Sequence, residues 1–209
     1  MACRREPRPL AGGHLDHILP PRQKLTRGHH KAMPHKDVPA FVARLGALGS
    51  ISAMALEFCI LTAARSGEVL NANWSEFDLK DGAWTVPAKR MKAAREHRVP
   101  LGRRPLELLQ KLQEAAVSDF VFPGAKANRP LSSMSMEMLM RREKQPYTVH
   151  GFRSAFRDWA AEEMSFAREV AEQALAHVVE NAVEAAYRRS DLFDKRRKLM
   201  VAWEGYCVR

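Results

Sequence analysis

Six residues of this chain, met in order, carry the groups needed to attack a phosphodiester. Arg65 lies in Thr62-Ala-Ala-Arg65-Ser-Gly-Glu68, where a buried helix is expected to end and a short one to begin. Lys92 belongs to the basic connection Lys89-Arg-Met-Lys92-Ala-Ala-Arg95-Glu-His-Arg98. His150 and Arg153 stand in His150-Gly-Phe-Arg153, a spacing that puts both on one helix face. His177 closes Leu175-Ala-His177, and Tyr187 follows ten residues later in Glu184-Ala-Ala-Tyr187-Arg-Arg-Ser190. Taken singly, each has a duller explanation. An arginine at a helix end can simply pair with Glu68, a polar stripe belongs to any amphipathic helix, and a tyrosine commonly packs with its hydroxyl at the rim.

Together they make a coherent reaction. Two guanidinium groups can each donate paired hydrogen bonds to the non-bridging oxygens of a phosphate, balancing charge that develops in a pentacoordinate transition state. A histidine can carry the proton of a tyrosine, whose ordinary pKa of about 10 leaves it neutral at pH 7. A lysine can protonate the departing 5′-oxygen. The tyrosine then holds the bond energy as a phosphotyrosyl ester, so no external energy source and no cofactor is called for. No clustered Asp/Glu set of the kind that holds two divalent ions is visible. His14-Leu-Asp-His17 lacks two further nearby ligands, so no metal site is expected there.

These groups need elements to hold them. From Asp37, the apolar residues Val38, Phe41, Val42, Leu45 and Leu48 recur at helix-face spacing, with Asp37 and Pro39 suiting the start and Gly46 and Gly49 weakening the end. Ser50 can cap a second helix from Ile51 to about Ala63, apolar nearly all round and therefore expected in the centre. Phe77–Leu79 and Ala83–Val86 form a hairpin across Lys80-Asp-Gly82, and His97–Leu101 supplies a third strand. Pro105 opens an amphipathic helix, a Met-rich helix follows near Ser133–Arg142, and Thr148 to Tyr206 reads as four helices. In His150–Trp159 the residues Phe152, Phe156 and Trp159 are predicted to pack inward. The fold class is α+β, mainly α, with one small three-stranded antiparallel sheet.

Composition points the same way. The formal charge is +10 and the isoelectric point about 9.9, which favours a polyanionic partner. The charge is concentrated in residues 1–36, with eight Lys/Arg against Glu6 and Asp16, and in Arg188–Lys198, with six against Asp191 and Asp194. Residues 1–35, rich in Pro, Gly, Arg and His, read as a basic linker in which His29, His30 and His35 have no special role; residues 36–209 read as one domain. Cys3, Cys59 and Cys207 lie far apart, and no apolar run has the length of a signal or a membrane span. A cytoplasmic protein without a membrane partner is expected.

The ordered boxes resemble those of the tyrosine recombinases, and within them the integrases of satellite phages and genomic islands. Thr62–Glu68 is similar to their first arginine box. His150-Gly-Phe-Arg-Ser-Ala-Phe-Arg-Asp-Trp159 is similar to the second, and Leu175–His177 through Tyr187 to Met200 to the third and its tail. Trp84–Lys92 and Glu96–Leu101 resemble the hairpin that carries the family's lysine, with Lys92 seven residues before Val99 and Lys89 a weaker candidate. The likeness covers roughly residues 30–206.

The resemblance implies site-specific recombination of double-stranded DNA by strand cleavage and religation through a 3′-phosphotyrosyl intermediate. Tyr187 is then the nucleophile, with Arg65, Arg153 and His177 on the scissile phosphate. His150 is the acid/base and Lys92 the acid for the leaving 5′-hydroxyl, while Glu68 supports Arg65 from behind. Arg90, Arg95, Arg188 and Arg189 are expected to contact DNA. It also implies a tetramer on DNA, joined through the last helix, about Leu192–Tyr206. There Leu192, Phe193, Leu199, Met200 and Trp203 offer apolar contacts to a neighbour. Members of the family normally carry an arm-binding and a helical core-binding domain upstream, for which this chain starts too late; residues 1–35 are then a linker or a remnant of the core-binding domain, with His14-Leu-Asp-His17-Ile-Leu-Pro-Pro resembling its tail end. The alternative reading is therefore a fragment that binds DNA non-specifically and does not recombine alone.

Overall fold

The computed structural model describes residues 30–177 and 191–209. The first helix, α1 (Val38–Leu48), starts with Pro39 in its first turn, where a missing N–H costs nothing, and stops at Gly49, whose φ of +62° suits glycine. The second, α2 (Ile51–Thr62), is capped by Ser50, whose hydroxyl accepts from the Ala53 amide at 3.2 Å. That bond contributes about 1 kcal/mol. Ten of its residues from Ala53 to Thr62 are buried, so this helix is the axis of the fold. Around it pack α1, α3 (Ser66–Leu70), α4 (Arg103–Glu114), α5 (Ser135–Arg142) and the last helix, α8 (Phe193–Cys207). Between α5 and α8 come α6 (Gly151–Glu162) and α7 (Arg168–Ala174).

The sheet is the expected one. Strands β1 (Phe77–Asp78), β2 (Ala83–Val86) and β3 (His97–Pro100) lie in that order, all antiparallel, with Trp84 opposite Phe77 on one side and Val99 on the other. The turn is one residue longer than expected: Asp78 pairs with Ala83, leaving Leu79–Gly82 as the loop. The Asp78 carboxylate accepts from the Lys80 and Asp81 amides and so replaces the missing ladder bond.

Two aromatic clusters divide the core. Phe58, Phe77, Trp84 and Phe122 join α2 to the sheet, while Phe156, Trp159, Trp203 and Tyr206 join α6 to α8. Phe152, Phe156 and Trp159 point inward, as their spacing predicts. Leu199, Met200 and Trp203, expected to serve a neighbouring subunit, are buried in this chain's own core instead. Trp203 donates its indole N–H to the Ile60 carbonyl at 2.9 Å. A 15-residue helix covering the end of the axial helix needs that apolar face itself.

The boundary expected after residue 35 also moves. Met33 and His35 are buried, and His35 uses both ring nitrogens, one on the Tyr206 hydroxyl and one on the Glu162 carboxylate, each at 2.9 Å. Packed structure therefore begins before residue 36, and His35 is a tertiary clamp between α6 and α8. Among the described residues no helix is long and apolar enough to cross a membrane.

Candidate active site

The site is assembled where α2 and α7 end and α3 and α6 begin. At the end of α2, Ala63 takes a left-handed conformation (φ 50°), which turns the chain out of the helix and leaves the Ala63 carbonyl free to face inward. Two residues on, Arg65 caps α3 with extended backbone. Glu68 then reaches back and holds it twice, accepting from the Arg65 amide at 3.0 Å and from the Arg65 guanidinium at 2.8 Å. Glu68 is 5% exposed, so its charge needs that partner.

The start of α6 supplies the next two groups. His150 caps the helix and Arg153 sits one turn inside it. The chain segment at Lys31–Ala32 crosses over this end, the Lys31 carbonyl accepting from the Thr148 amide at 3.0 Å. Gly151 is required here, because a β-carbon would lie 2.3 Å from the Lys31 oxygen. The same crossing brings the His30 ring to 4.4 Å from the His150 ring, centroid to centroid. His30 thus faces a candidate acid/base. The His150 pKa is lowered by burial first, and further by the charges of His30, Arg153, Arg65 and His177, which favours a neutral ring able to take a proton.

Arg153 is the centre. Its side chain is buried, and its guanidinium donates to the Ala63 carbonyl at 2.5 Å and the Leu175 carbonyl at 2.6 Å. These oxygens cap the ends of α2 and α7, where the partial negative charge of helix C-termini favours a cation. A third contact runs to Nε2 of His177 at 3.3 Å. Arg65 reaches the same turn, donating to the Ala176 carbonyl at 3.4 Å. Burial first, and Arg65 second, push the Arg153 pKa down to about 10, still cationic at neutral pH, and its buried Nε has no hydrogen-bond partner among the described residues. Two guanidinium groups and a histidine therefore converge with neutral carbonyls as the principal partners of the inner arginine. Such an arrangement stabilises a bound anion with paired oxygens.

Arg65 contacts Glu68 and Arg153 contacts His177, while Arg65 also reaches the Ala176 carbonyl beside His177, and the charges of Arg153, Arg65 and His177 act on His150. Lys92 and Arg95 lie exposed on the β2–β3 connection and make none of these contacts. Arg90, expected at DNA, turns inward: it ion-pairs with Glu76 and donates to the Glu68 carbonyl at 2.8 Å, tying the connection to the first arginine box. Tyr187, Arg188 and Arg189 lie outside the described residues, as do His14, His17 and His29.

Sequence reasoning missed three residues around the cluster. His30 was read as linker, and only the crossing chain reveals its contact. Glu172 lies 2.6 Å from Nδ1 of His177, and an acidic residue five places before a singled-out histidine was the available signal. His97, read only as the start of a strand, is held to a pKa of about 4 by burial first and Arg196 second, with smaller influences from Glu68, the Ala174 carbonyl and Arg153. The buried Cys59 thiol, pushed up to about 12 mainly by desolvation, donates to the Ala64 carbonyl and is inert.

Comparison with known proteins adds to this geometry. The model of the phage integrase family matches residues 31–192. The chain is 34% identical over 177 residues to a prophage integrase of Escherichia coli K12, IntZ, covering 83% of this chain and 44% of the relative. It is 32% identical over 199 residues to the integrase of enterobacteria phage P4, covering 85% and 45%. The chain thus spans less than half the length of these curated relatives. Among solved structures, the lambda integrase catalytic core superposes with a TM-score of 0.55 at 21% identity, over 73% of this chain and 94% of that one. A lambda integrase dimer bound to a core site gives 0.56 at 20% identity, over 72% and 58%.

Proposed function

The chain belongs to the phage integrase family, and from that premise we propose that it is the catalytic unit of a tyrosine recombinase, cutting and rejoining duplex DNA at attachment sites. The observation that carries the reading is the convergence of Arg65 and Arg153 beside His177, with the buried Nε of Arg153 unpartnered. The oxygens of one phosphate would supply acceptors to these converging cations.

In this reading the Tyr187 oxygen attacks the scissile phosphorus while its proton passes to His150. The new P–O(Tyr187) bond forms as the P–O5′ bond breaks, and the leaving oxygen takes a proton from Lys92. Charge on the non-bridging oxygens is balanced by Arg65, Arg153 and His177. A 5′-hydroxyl of the exchanging strand then reverses each step on the phosphotyrosyl ester, releasing Tyr187. Lys92 stands in an exposed connection, so the reading requires DNA to draw that connection toward the cluster. Arg95, on the same connection, and Arg188 and Arg189 would contact the DNA backbone.

The proposal extends to partners and place. Recombination exchanges strands between two duplexes, so a tetramer on DNA in the bacterial cytoplasm is the expected working assembly; a lambda integrase tetramer bound to a Holliday junction is a solved example of a structural neighbour. With Leu199, Met200 and Trp203 committed inward, a neighbour meeting α8 would meet its outer side, where Val201 and Val208 are exposed. We assign residues 36–209, with the packed segment from His30, to the catalytic unit.

The test is incubation with a nicked suicide DNA substrate in the presence of EDTA, read on a denaturing gel. A covalent adduct is expected, and it disappears in Tyr187→Phe. A salt-sensitive DNA complex that never becomes covalent would replace this reading with the DNA-binding fragment.

A further inference from the structure

Glu172 faces the cluster from behind. On α7 it is mostly buried, and its Oε2 lies 2.6 Å from Nδ1 of His177. Its own carbonyl accepts from the His177 amide at 3.0 Å, so backbone and side chain of the histidine are both tied to one residue. Arg157 on α6 lies 3.0 Å from its Oε1, and Arg168 lies 3.9 Å away. Burial raises the Glu172 pKa, but the hydrogen bond to His177 and the charge of Arg157 outweigh it and leave the carboxyl below its ordinary value. It is an anion at neutral pH.

The other side of the ring fixes the protons. Nε2 of His177 is 3.3 Å from an Arg153 nitrogen. An arginine only donates, so Nε2 accepts there and the ring proton sits on Nδ1, donated to Glu172. When a phosphate oxygen takes the place opposite Nε2, the ring must donate from both nitrogens. The second proton then comes from solvent, and the ring needs an anion to balance its charge.

We infer that Glu172 is the positioning residue of His177: it holds the ring with Nδ1 turned away from the phosphate and supplies the counter-charge that lets Nε2 donate to a phosphate oxygen. The inference rests on the strand-cleavage reading for its catalytic consequence, and on the hydrogen-bond geometry alone for its hold on the ring. Among the described residues, the charged groups around His177 include Glu172 and Arg168 from α7, Arg153 and Arg157 from α6, His150 before α6, and Arg65 before α3.

Two readouts on the full chain test it. Long-range proton–nitrogen NMR of the histidine rings, without DNA, is expected to show the His177 proton on Nδ1 in the wild type and in Arg157→Met. In Glu172→Ala that preference is lost. Single-turnover cleavage of the nicked substrate at saturating DNA is expected to fall between about 10-fold and 100-fold in Glu172→Ala, with DNA affinity changed less than about twofold. Glu172→Gln keeps an acceptor without the charge and recovers part of the rate. A His177 spectrum unchanged in Glu172→Ala, or an equal loss of cleavage in Arg157→Met, overturns the inference, because Glu172 would then only fasten α7 to α6. Absence of any adduct in the wild type counts against strand cleavage, and the NMR result still decides whether Glu172 sets the ring.

Discussion

Arg153 and Arg196 are both buried, at 6% and 2% exposure, yet their surroundings differ in kind. Arg196, in the first turn of α8, has a hydrogen bond from each of its three side-chain nitrogens. It donates to the Asp191 carbonyl at 2.7 Å, to the Asp191 carboxylate at 2.9 Å and to the Arg98 carbonyl, joining α8 to β3. Arg153 has carbonyls of two helix ends, a histidine, and another arginine nearby, with one buried N–H unpartnered. A buried cation matched by a carboxylate is scaffold. One matched mainly by dipoles keeps attraction in reserve for an incoming anion. Burial alone would not separate the two, and neither would their place in a basic sequence.

Substitution by methionine, similar in length and uncharged, is the sharpest way to break this contrast. Arg153→Met is expected to reduce covalent adduct formation by about 1000-fold, some 4 kcal/mol of transition-state stabilisation. Its unfolding free energy should change less than that of Arg196→Met, because removing the cation also relieves its repulsion with Arg65. Arg196→Met loses its hydrogen bonds to Asp191 and the Arg98 carbonyl, and is expected to unfold about 3 kcal/mol more easily. At a temperature where it stays folded, its cleavage rate should remain within about threefold of wild type. Denaturant titration and the suicide-substrate gel measure the two effects. If both variants lose stability and activity in parallel, the distinction between site and scaffold fails.

His97 connects the two regions, since Arg196, Glu68 and Arg153 all act on it. Its folded pKa of about 4 lies below the ordinary 6.5. The unfolded chain therefore binds the proton first, and the stability contributed by the neutral ring is present above pH 6.5 and lost as the pH falls toward 4. The loss attributable to this residue is at most about 3 kcal/mol. Urea unfolding of wild type and His97→Gln across that range should show the wild type losing more, with the difference concentrated between pH 6.5 and 4. Parallel curves would mean that the ring is not held neutral between the two arginines.

How far these differences were legible in the sequence depends on what has to be known. Helix starts and the hairpin were, since Ser50, Pro39 and the Phe77–Val86 alternation act through neighbours in the chain. The order of Arg65, His150, Arg153 and His177 was legible too, because the chemistry fixes residue types. What a long side chain meets across the fold was not. Arg90 and Arg196 look like their exposed neighbours in the sequence, and only the Glu76, Glu68 and Asp191 partners brought in by folding turn them inward. Leu199, Met200 and Trp203 of α8 are covered by this chain's own core, because periodicity tells that a face is covered and not by which chain. His30 and His35 read as linker for the same reason: a Pro/Gly-rich stretch has no period, so its packing cannot be read along the chain.

The mildest test of the contrast uses inorganic phosphate without DNA. If Arg153 and Arg65 hold attraction in reserve, a free anion binds the folded state at that point and raises its stability, by about 1.4 kcal/mol when the anion is at ten times its dissociation constant. For a chain of this size that is a rise of roughly 3–6 °C in melting temperature. Phosphate also stabilises proteins generally by exclusion from their surface, so the wild-type shift alone decides nothing. Arg153→Met measures that general part, since it keeps the rest of the surface. The expected result is an equal phosphate-dependent rise in wild type and Arg196→Met, and a smaller one in Arg153→Met, with sodium chloride matched for ionic strength in all three. Should all three rise together, the unpartnered Nε of Arg153 is not an anion site, and the two buried arginines differ only in which neighbours they fasten.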